Sequence, residues 1–266
     1  MVRQTPHGPG EHRNEEFWRE FLANPDPVQG FGRGILSRLP ADPRCQLCAS
    51  PFRGPGGAVF RIFGKSQSAN NPRMCTSCEK VLLRYRGGAE VDASLLFADI
   101  RGSTALAEQM APTAFRDLLD RFYTVASETV FDHGGIVDKF VGDELVAAFP
   151  PLLGERHAER AVAAARDLLR ATGHADPGGP WVPVGAGVHT GRMWFGTIGD
   201  GNHVEITTVG DVVNTTARLA SQAGAGEILV SVTAGTAAGL DPQLERRSLS
   251  LKGKGEPVEV VSLAVE

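Results

Sequence analysis

The sequence predicts an α+β protein in which mixed strands and helices follow a small cysteine-bearing module. Three observations carry this. From Val91 onward, apolar runs of strand length mix with helical patterns without strict strand–helix alternation, which favours α+β layers over a doubly wound sheet. All four cysteines fall within residues 31–88, a stretch rich in Gly, Pro and Arg. Residues 1–30 read as a polar arm with one short helix. The expected organisation is a helical arm (1–30), a basic four-cysteine module (31–88) and a larger domain (91–266).

In chain order, Glu15–Leu22 is an amphipathic helix carrying Phe17, Trp18 and Phe21, stopped by Asn24-Pro25 and Asp26-Pro27 because a residue before proline is pushed out of helical geometry. Gly87-Gly88 marks the change of texture, as a hinge. Ser94–Ala98 is a buried strand. Phe115, Leu118, Leu119, Phe122, Ala126 and Val130 recur at helical spacing, so Pro112–Phe131 is a long helix. Gly135–Phe140 and Leu145–Phe149 are strands around the tight turn Gly142-Asp143. Ala158, Ala161, Val162, Ala165 and Leu169 mark another helix. Val182–His189 and Met193–Ile198 are strands separated by Thr190-Gly191, and Val212–Ala220 is a helix. Ile228–Val230 and the pair Arg247–Lys252 and Val258–Ala264 close the chain as strands.

The net charge of −4 hides an asymmetry. Between Phe31 and Arg86 there are ten Lys/Arg against Asp42 and Glu79, so the remainder is acidic. Such a segment suits nucleic acid, an anionic surface or the acidic face of its own neighbouring domain. No run approaches the roughly 18 apolar residues of a membrane span, and Met1–Glu16 lacks the apolar core of a secretory signal. A cytoplasmic protein is expected.

Two aspartates stand where strands meet loops. Asp99 follows Ser94–Ala98 and leads into Ile100-Arg101-Gly102-Ser103-Thr104; Asp143 lies in Lys139-Phe140-Val141-Gly142-Asp143-Glu144. Strand-borne carboxylates beside a small-residue loop suit two-metal phosphoryl transfer, because magnesium takes carboxylate oxygens and phosphates take backbone N–H groups at a helix start. Asn214 and Arg218, four residues apart, share one helix face; an amide and a guanidinium there suit a sugar oxygen and a phosphate. Asp211 caps that helix after Gly210.

In order along the chain, Leu96-Phe97-Ala98-Asp99-Ile100-Arg101-Gly102, Lys139-Phe140-Val141-Gly142-Asp143, Val209-Gly210-Asp211-Val212-Val213-Asn214 with Arg218, and Leu251-Lys252-Gly253-Lys254-Gly255 resemble the motifs of the class III nucleotidyl cyclases. The resemblance runs from Val91 to the C-terminus. It implies a ferredoxin-like (βαββαβ) catalytic domain that converts a nucleoside triphosphate to a 3′,5′-cyclic monophosphate. By the resemblance, Asp99, Asp143 and the Ile100 carbonyl hold two Mg²⁺ or Mn²⁺ ions per site. The backbone of Arg101, Gly102, Ser103 and Thr104 cradles phosphates, and Lys139 and Thr207 read the purine. Asn214 orients the ribose, Arg218 stabilises charge on the α-phosphate, and Lys252 contacts the terminal phosphates. The family's sites lie between two head-to-tail domains, which implies a homodimer. The Lys139/Thr207 pair resembles a Lys/Thr subgroup in which Thr replaces the commoner Asp; ATP is the expected substrate, the alternatives being GTP or a pyrimidine nucleotide, or a non-catalytic cyclase-like protein that binds nucleic acid through its cysteine module. Ser103 stands where many relatives have Phe.

Cys45-x-x-Cys48 and Cys75-x-x-Cys78 have the spacing of a zinc ribbon, a closed structural Zn²⁺ site with four thiolate ligands. Rubredoxin-like iron, an iron–sulfur cluster or disulfides are the alternatives. Phe52, Val59, Phe60, Ile62 and Phe63 are expected to form a mini-core too small to fold without metal. The module could brace the larger domain, sense metal or oxidant, or bind nucleic acid. His133, His157, His189 and His203 show no ligand spacing.

Overall fold

The computed structural model describes residues 9–23, 36, 43–69, 72–200, 203–250 and 255–265. They group into two compact units. One takes the described residues of Met1–Val91 with Pro151–Glu155 and Trp194–Thr208; the other takes Asp92–Pro150, Arg156–Met193 and Val209–Glu266.

The first unit begins with helix α1 (Pro9–Ala23), longer at its start than the Glu15–Leu22 pattern indicates. Its apolar stripe buries Trp18 and Leu22 completely. The Trp18 indole N–H donates to the Tyr85 carbonyl at 2.5 Å, Phe17 stacks on the Tyr85 ring at 3.9 Å, and Asn14 Nδ2 donates to the Arg86 carbonyl at 2.7 Å. The Asn24-Pro25 and Asp26-Pro27 steps lie outside the described residues, as do Arg33 and Arg38. Among its described residues the cysteine module includes two short helices that the sequence did not suggest, α2 (Gly54–Ile62) and α3 (Thr76–Arg84). Phe52 is buried as expected, but Val59, Ile62 and Phe63 are 51%, 84% and 71% exposed. The expected mini-core is therefore corrected: α2 is nine residues long, with Gly57 pressed on the Phe52 backbone, and among the described residues its other face is left exposed.

The glycine pair at 87–88 is held by pairing. Gly87 N–H donates to Thr197 Oγ1 at 2.8 Å, and Thr197 N–H donates to the Gly87 carbonyl at 2.7 Å. A side chain at Gly88 would strike the Trp194 ring at 2.5 Å, so glycine permits a close backbone approach there.

The chain then runs through β1 (Gly88–Ile100), α4 (Ser103–Gln109), α5 (Pro112–Asp132), β2 (Ile136–Val141), β3 (Glu144–Phe149), a 3₁₀ turn (Pro151–Leu153), α6 (His157–Ala171), β4 (Val184–Asp200), β5 (His203–Val209), α7 (Asp211–Gln222), β6 (Glu227–Ser231), α8 (Val232–Ala237), β7 (Arg246–Leu249) and β8 (Val258–Ala264). The strands form a mixed eight-stranded sheet in the order β2-β3-β1-β4-β6-β8-β7, with β5 on β4. The pairs β1/β3, β2/β3, β6/β8 and β7/β8 are antiparallel, and β4/β6 is parallel. This is the α+β architecture the mixed strand and helix patterns predict.

Within the second unit the core follows the period of two along each strand: Leu96, Ala98 and Ile100 on β1 and Leu145, Ala147 and Phe149 on β3 point inward. Phe122, Ala126 and Val130 of α5 and Ala161, Ala165 and Leu168 of α6 cover them. The expected break at Thr190-Gly191 does not occur. β4 passes straight through, and Thr190 is buried with its hydroxyl 2.5 Å from Ser94 Oγ, so sheet pairing overrides a local turn signal. β5 and α8 carry too few periodic residues to be read from the sequence.

Candidate active site

In the second unit, β1 and β3 are paired so that Asp99 lies opposite Glu144, and Asp143 occupies the turn between β2 and β3. That turn needs Gly142, whose φ is +61°, a left-handed backbone that side chains disfavour. It is further held by the Tyr123 hydroxyl, which donates to the Gly142 carbonyl while the Tyr123 ring stacks on Phe140 at 3.9 Å. These supports from α5 carry no sequence signal beyond helical spacing.

The result is three carboxyls crowded near one guanidinium. Burial, reinforced by hydrogen bonding to Asp143, pushes the Asp99 carboxyl up to about 7, and Arg101 opposes the rise. Burial and then the Asp143 charge also raise Glu144. Arg101 forms an ion pair with Asp99 Oδ2, and its guanidinium also donates to the Ser221 carbonyl at 3.1 Å, at the C-terminal end of α7. The sequence pointed to the Arg101 backbone; the side-chain role emerges only from the fold. The surplus of negative charge fits a hard divalent cation, which takes carboxylate and carbonyl oxygens. Ile100, 1% exposed, fixes the backbone between Asp99 and Arg101. Gly102, in left-handed conformation, caps α4, where Ser103 is half-buried and Thr104 exposed.

The other predicted residues lie elsewhere. Asn214 is exposed and Arg218 half-buried on α7, and among the described residues neither side chain has a hydrogen-bond or ion-pair partner. No hydrogen bond or ion pair among the described residues joins Asp99 or Asp143 to Asn214 or Arg218. Lys139 sits on β2 just after the register shift at Val137/Lys139. Thr207, 7% exposed, is on β5 in the first unit. Lys252 lies outside the described residues. The histidines take structural partners: His133 pairs with Asp167, His157 with Ser94 and His189 with Ser231.

The four sulfurs of Cys45, Cys48, Cys75 and Cys78 lie within 4.8 Å of one another, and no disulfide links them. Cys48 Sγ is 3.8 Å from Cys75 Sγ. A tetrahedral ion with arms of about 2.3 Å has edges of roughly 3.8 Å, so the cluster has the size of a four-thiolate metal site. Backbone N–H groups of Cys75 and Cys78 donate to Cys45 and Cys75 sulfurs at 3.3 and 3.4 Å. Hydrogen bonds from neighbouring thiols, Cys45 first, lower Cys48 and hold Cys75 near 7. Those same neighbours raise Cys45 and Cys78. All four become thiolates together only with a cation between them.

Solved structures with this arrangement of sheet and helices define its class. The chain is similar to the guanylyl cyclase Cya2 (28% identity, TM-score 0.62, covering 67% of this chain and 94% of that one). It is also similar to the adenylyl cyclase CyaB from P. aeruginosa (27% identity, TM-score 0.58, 68% and 96%). An adenylate cyclase of Anabaena cylindrica is 29% identical over 178 residues, 63% of this chain and 36% of that protein. The chain spans a minor part, 36% at most, of such curated relatives. Residues 89–262 match the adenylate and guanylate cyclase catalytic domain, and the chain belongs to that family.

Proposed function

We propose that the chain is a nucleotidyl cyclase of the Lys/Thr subgroup that converts ATP to 3′,5′-cyclic AMP and pyrophosphate. The observation that carries this reading is the crowding of Asp99, Asp143 and Glu144 at adjoining strand ends, a concentration of carboxylate oxygens that suits a divalent cation. Asp99, Asp143 and the Ile100 carbonyl would hold two Mg²⁺ or Mn²⁺ ions. Bound there, the ions would acidify the ribose 3′-hydroxyl and neutralise the triphosphate and leaving pyrophosphate. The Arg101–Thr104 backbone would hold phosphate oxygens and Lys252 the terminal phosphates. Lys139 and Thr207 would bind the purine edge. Asn214 would align the ribose, and Arg218 would stabilise charge gathering on the α-phosphate as the 3′-oxygen attacks and pyrophosphate leaves.

Asn214 and Arg218, without side-chain partners among the described residues, support a site completed by a second copy, in which α7 of one protomer meets the aspartates of its partner. Exposed Val141 (56%) and Val209 (46%) offer apolar surface for such a head-to-tail homodimer to cover. The four-cysteine cluster would bind one structural Zn²⁺ per chain. Among the described residues no helix is long and apolar enough to cross a membrane. Reduced cysteines suit the cytoplasm. Similarity to a guanylyl cyclase makes GTP the second reading for substrate.

The test is cyclic-product formation from ATP, GTP, CTP and UTP with Mn²⁺, resolved by mass spectrometry. Cyclic AMP from ATP that disappears with chelator is the expected outcome; no cyclic product from any nucleotide would overturn it. Mixing inactive Asp99→Ala and Arg218→Ala chains should restore part of the activity through one intact composite site, and no recovery under exchanging conditions would reject the shared site.

A further inference from the structure

The cysteine module carries a surface that neither the cyclase family nor metal binding explains. Val59, Ile62 and Phe63 follow the i, i+3, i+4 spacing of one helix face, and all three are more than half exposed. Immediately after them the Gly64 carbonyl accepts hydrogen bonds from Thr76 Oγ1 at 2.7 Å and Ser77 Oγ at 2.8 Å, which fixes this apolar tip against the start of α3. One turn beyond Ser77, on the same face of α3, Val81 is 44% exposed. The exposed apolar residues thus stand on two helices joined through the Gly64 carbonyl.

The stretch of chain that carries them is charged almost entirely with one sign. Between Ser50 and Arg86 the sequence holds seven Lys/Arg and a single acid, Glu79. Glu79 is 9% exposed and accepts a 2.6 Å hydrogen bond from Ser68, so it faces inward. Arg61, Lys80 and Arg84 are exposed and Lys65 half-buried; among the described residues Arg61, Lys65 and Lys80 take part in no ion pair. A basic rim about an apolar tip is the pattern of a surface that sits in a membrane interface, with cations at headgroup phosphates and side chains in the acyl boundary.

We infer that the four-cysteine module docks the protein on an anionic lipid bilayer, inserting Ile62 and Phe63 while Arg61, Lys65 and Lys80 contact lipid phosphates. Single-stranded nucleic acid is the other polyanion with a use for apolar side chains, but bases stack on aromatic rings. Of the four exposed apolar residues only Phe63 is aromatic; Val59, Ile62 and Val81 offer no stacking plane. Aliphatic side chains at such exposure gain most from hydrocarbon.

The experiment uses the full-length, zinc-loaded chain and sedimentation with vesicles of phosphatidylcholine alone or with 30% phosphatidylglycerol. Binding is expected on the anionic vesicles, weakening with salt. Each cation held at an anionic leaflet strengthens partitioning roughly fivefold, so Arg61→Gln/Lys65→Gln/Lys80→Gln should weaken it about 100-fold. Ile62→Ser/Phe63→Ser, which alters no charge, should weaken it at least tenfold. A Phe63→Trp chain should show quenching by lipids brominated high on the acyl chain. Zinc content and circular dichroism confirm that each variant is folded. Absence of binding to anionic vesicles overturns the inference, as does binding untouched by the Ile62/Phe63 change. Salt-sensitive binding to a labelled oligonucleotide without vesicle binding overturns it in favour of nucleic acid.

Discussion

Replacing Asp99 with Asn should make the metal-free protein more stable at pH 8 while removing its response to Mn²⁺. Folding takes the Asp99 carboxyl from 3.8 to about 7, through burial first and the neighbouring Asp143 next. A raised folded value means stability is complete below the unfolded value and lost as pH climbs through the folded one, so the wild type weakens between about pH 4 and 7. At 1.36 kcal/mol per pH unit that interval converts to about 4 kcal/mol. The Asp99 side chain is 28% exposed, and solvent screening reduces the effect to ~1–2 kcal/mol. Asn keeps the shape and removes the charge. Urea unfolding with chelator should show Asp99→Asn more stable than wild type by that amount at pH 8 and by less than half of it at pH 5. Adding Mn²⁺ at pH 8 should stabilise the wild type by mass action and Asp99→Asn far less. A variant less stable at pH 8, or equal stabilisation of both chains by Mn²⁺, would refute the crowded-carboxylate account.

Other consequences can be checked separately. Cys45→Ser should drop the metal content from one ion per chain to none and expose residues 54–84 to limited proteolysis, since α2 and α3 bury little apolar surface of their own. Trp18→Ala should cost about 3–5 kcal/mol in urea unfolding, because the indole is fully buried and its N–H is bonded to the Tyr85 carbonyl. Acid should weaken the fold once Asp99 is replaced. Burial lowers both His157 and His174 below their ordinary 6.5, so the unfolded chain takes up protons first, and in the Asp99→Asn chain, where the opposing Asp99 titration is gone, the urea midpoint should fall as pH drops from 7 to 5.5. With His174→Gln added that fall should be smaller, since the ring accepts the Val184 N–H at 2.9 Å only when neutral.

Much of this protein was legible in its residues taken in order. Periodicity alone placed α5, α6, α7, β3 and β8, because an element that buries one face must repeat its apolar residues at the period of its own geometry. The two Cys-x-x-Cys pairs needed only their spacing, since each knuckle presents two sulfurs from a local turn. Asp99 and Asp143 stood out because a carboxylate at a strand end is a local pattern. What tertiary structure alone decided is relational. β4 runs unbroken through Thr190-Gly191 because Ser94, 96 residues away, takes the Thr190 hydroxyl. Ile62 and Phe63 read as core, yet both are exposed, since among the described residues nothing covers that face of α2. The Arg101 guanidinium meets Asp99, and the carboxyl values of Asp99 and Glu144 rise, because the fold buries both carboxyls and brings Asp143 beside them. Local pattern fixes which face of an element is apolar; only the fold decides what each face meets, and charge and burial follow from that meeting.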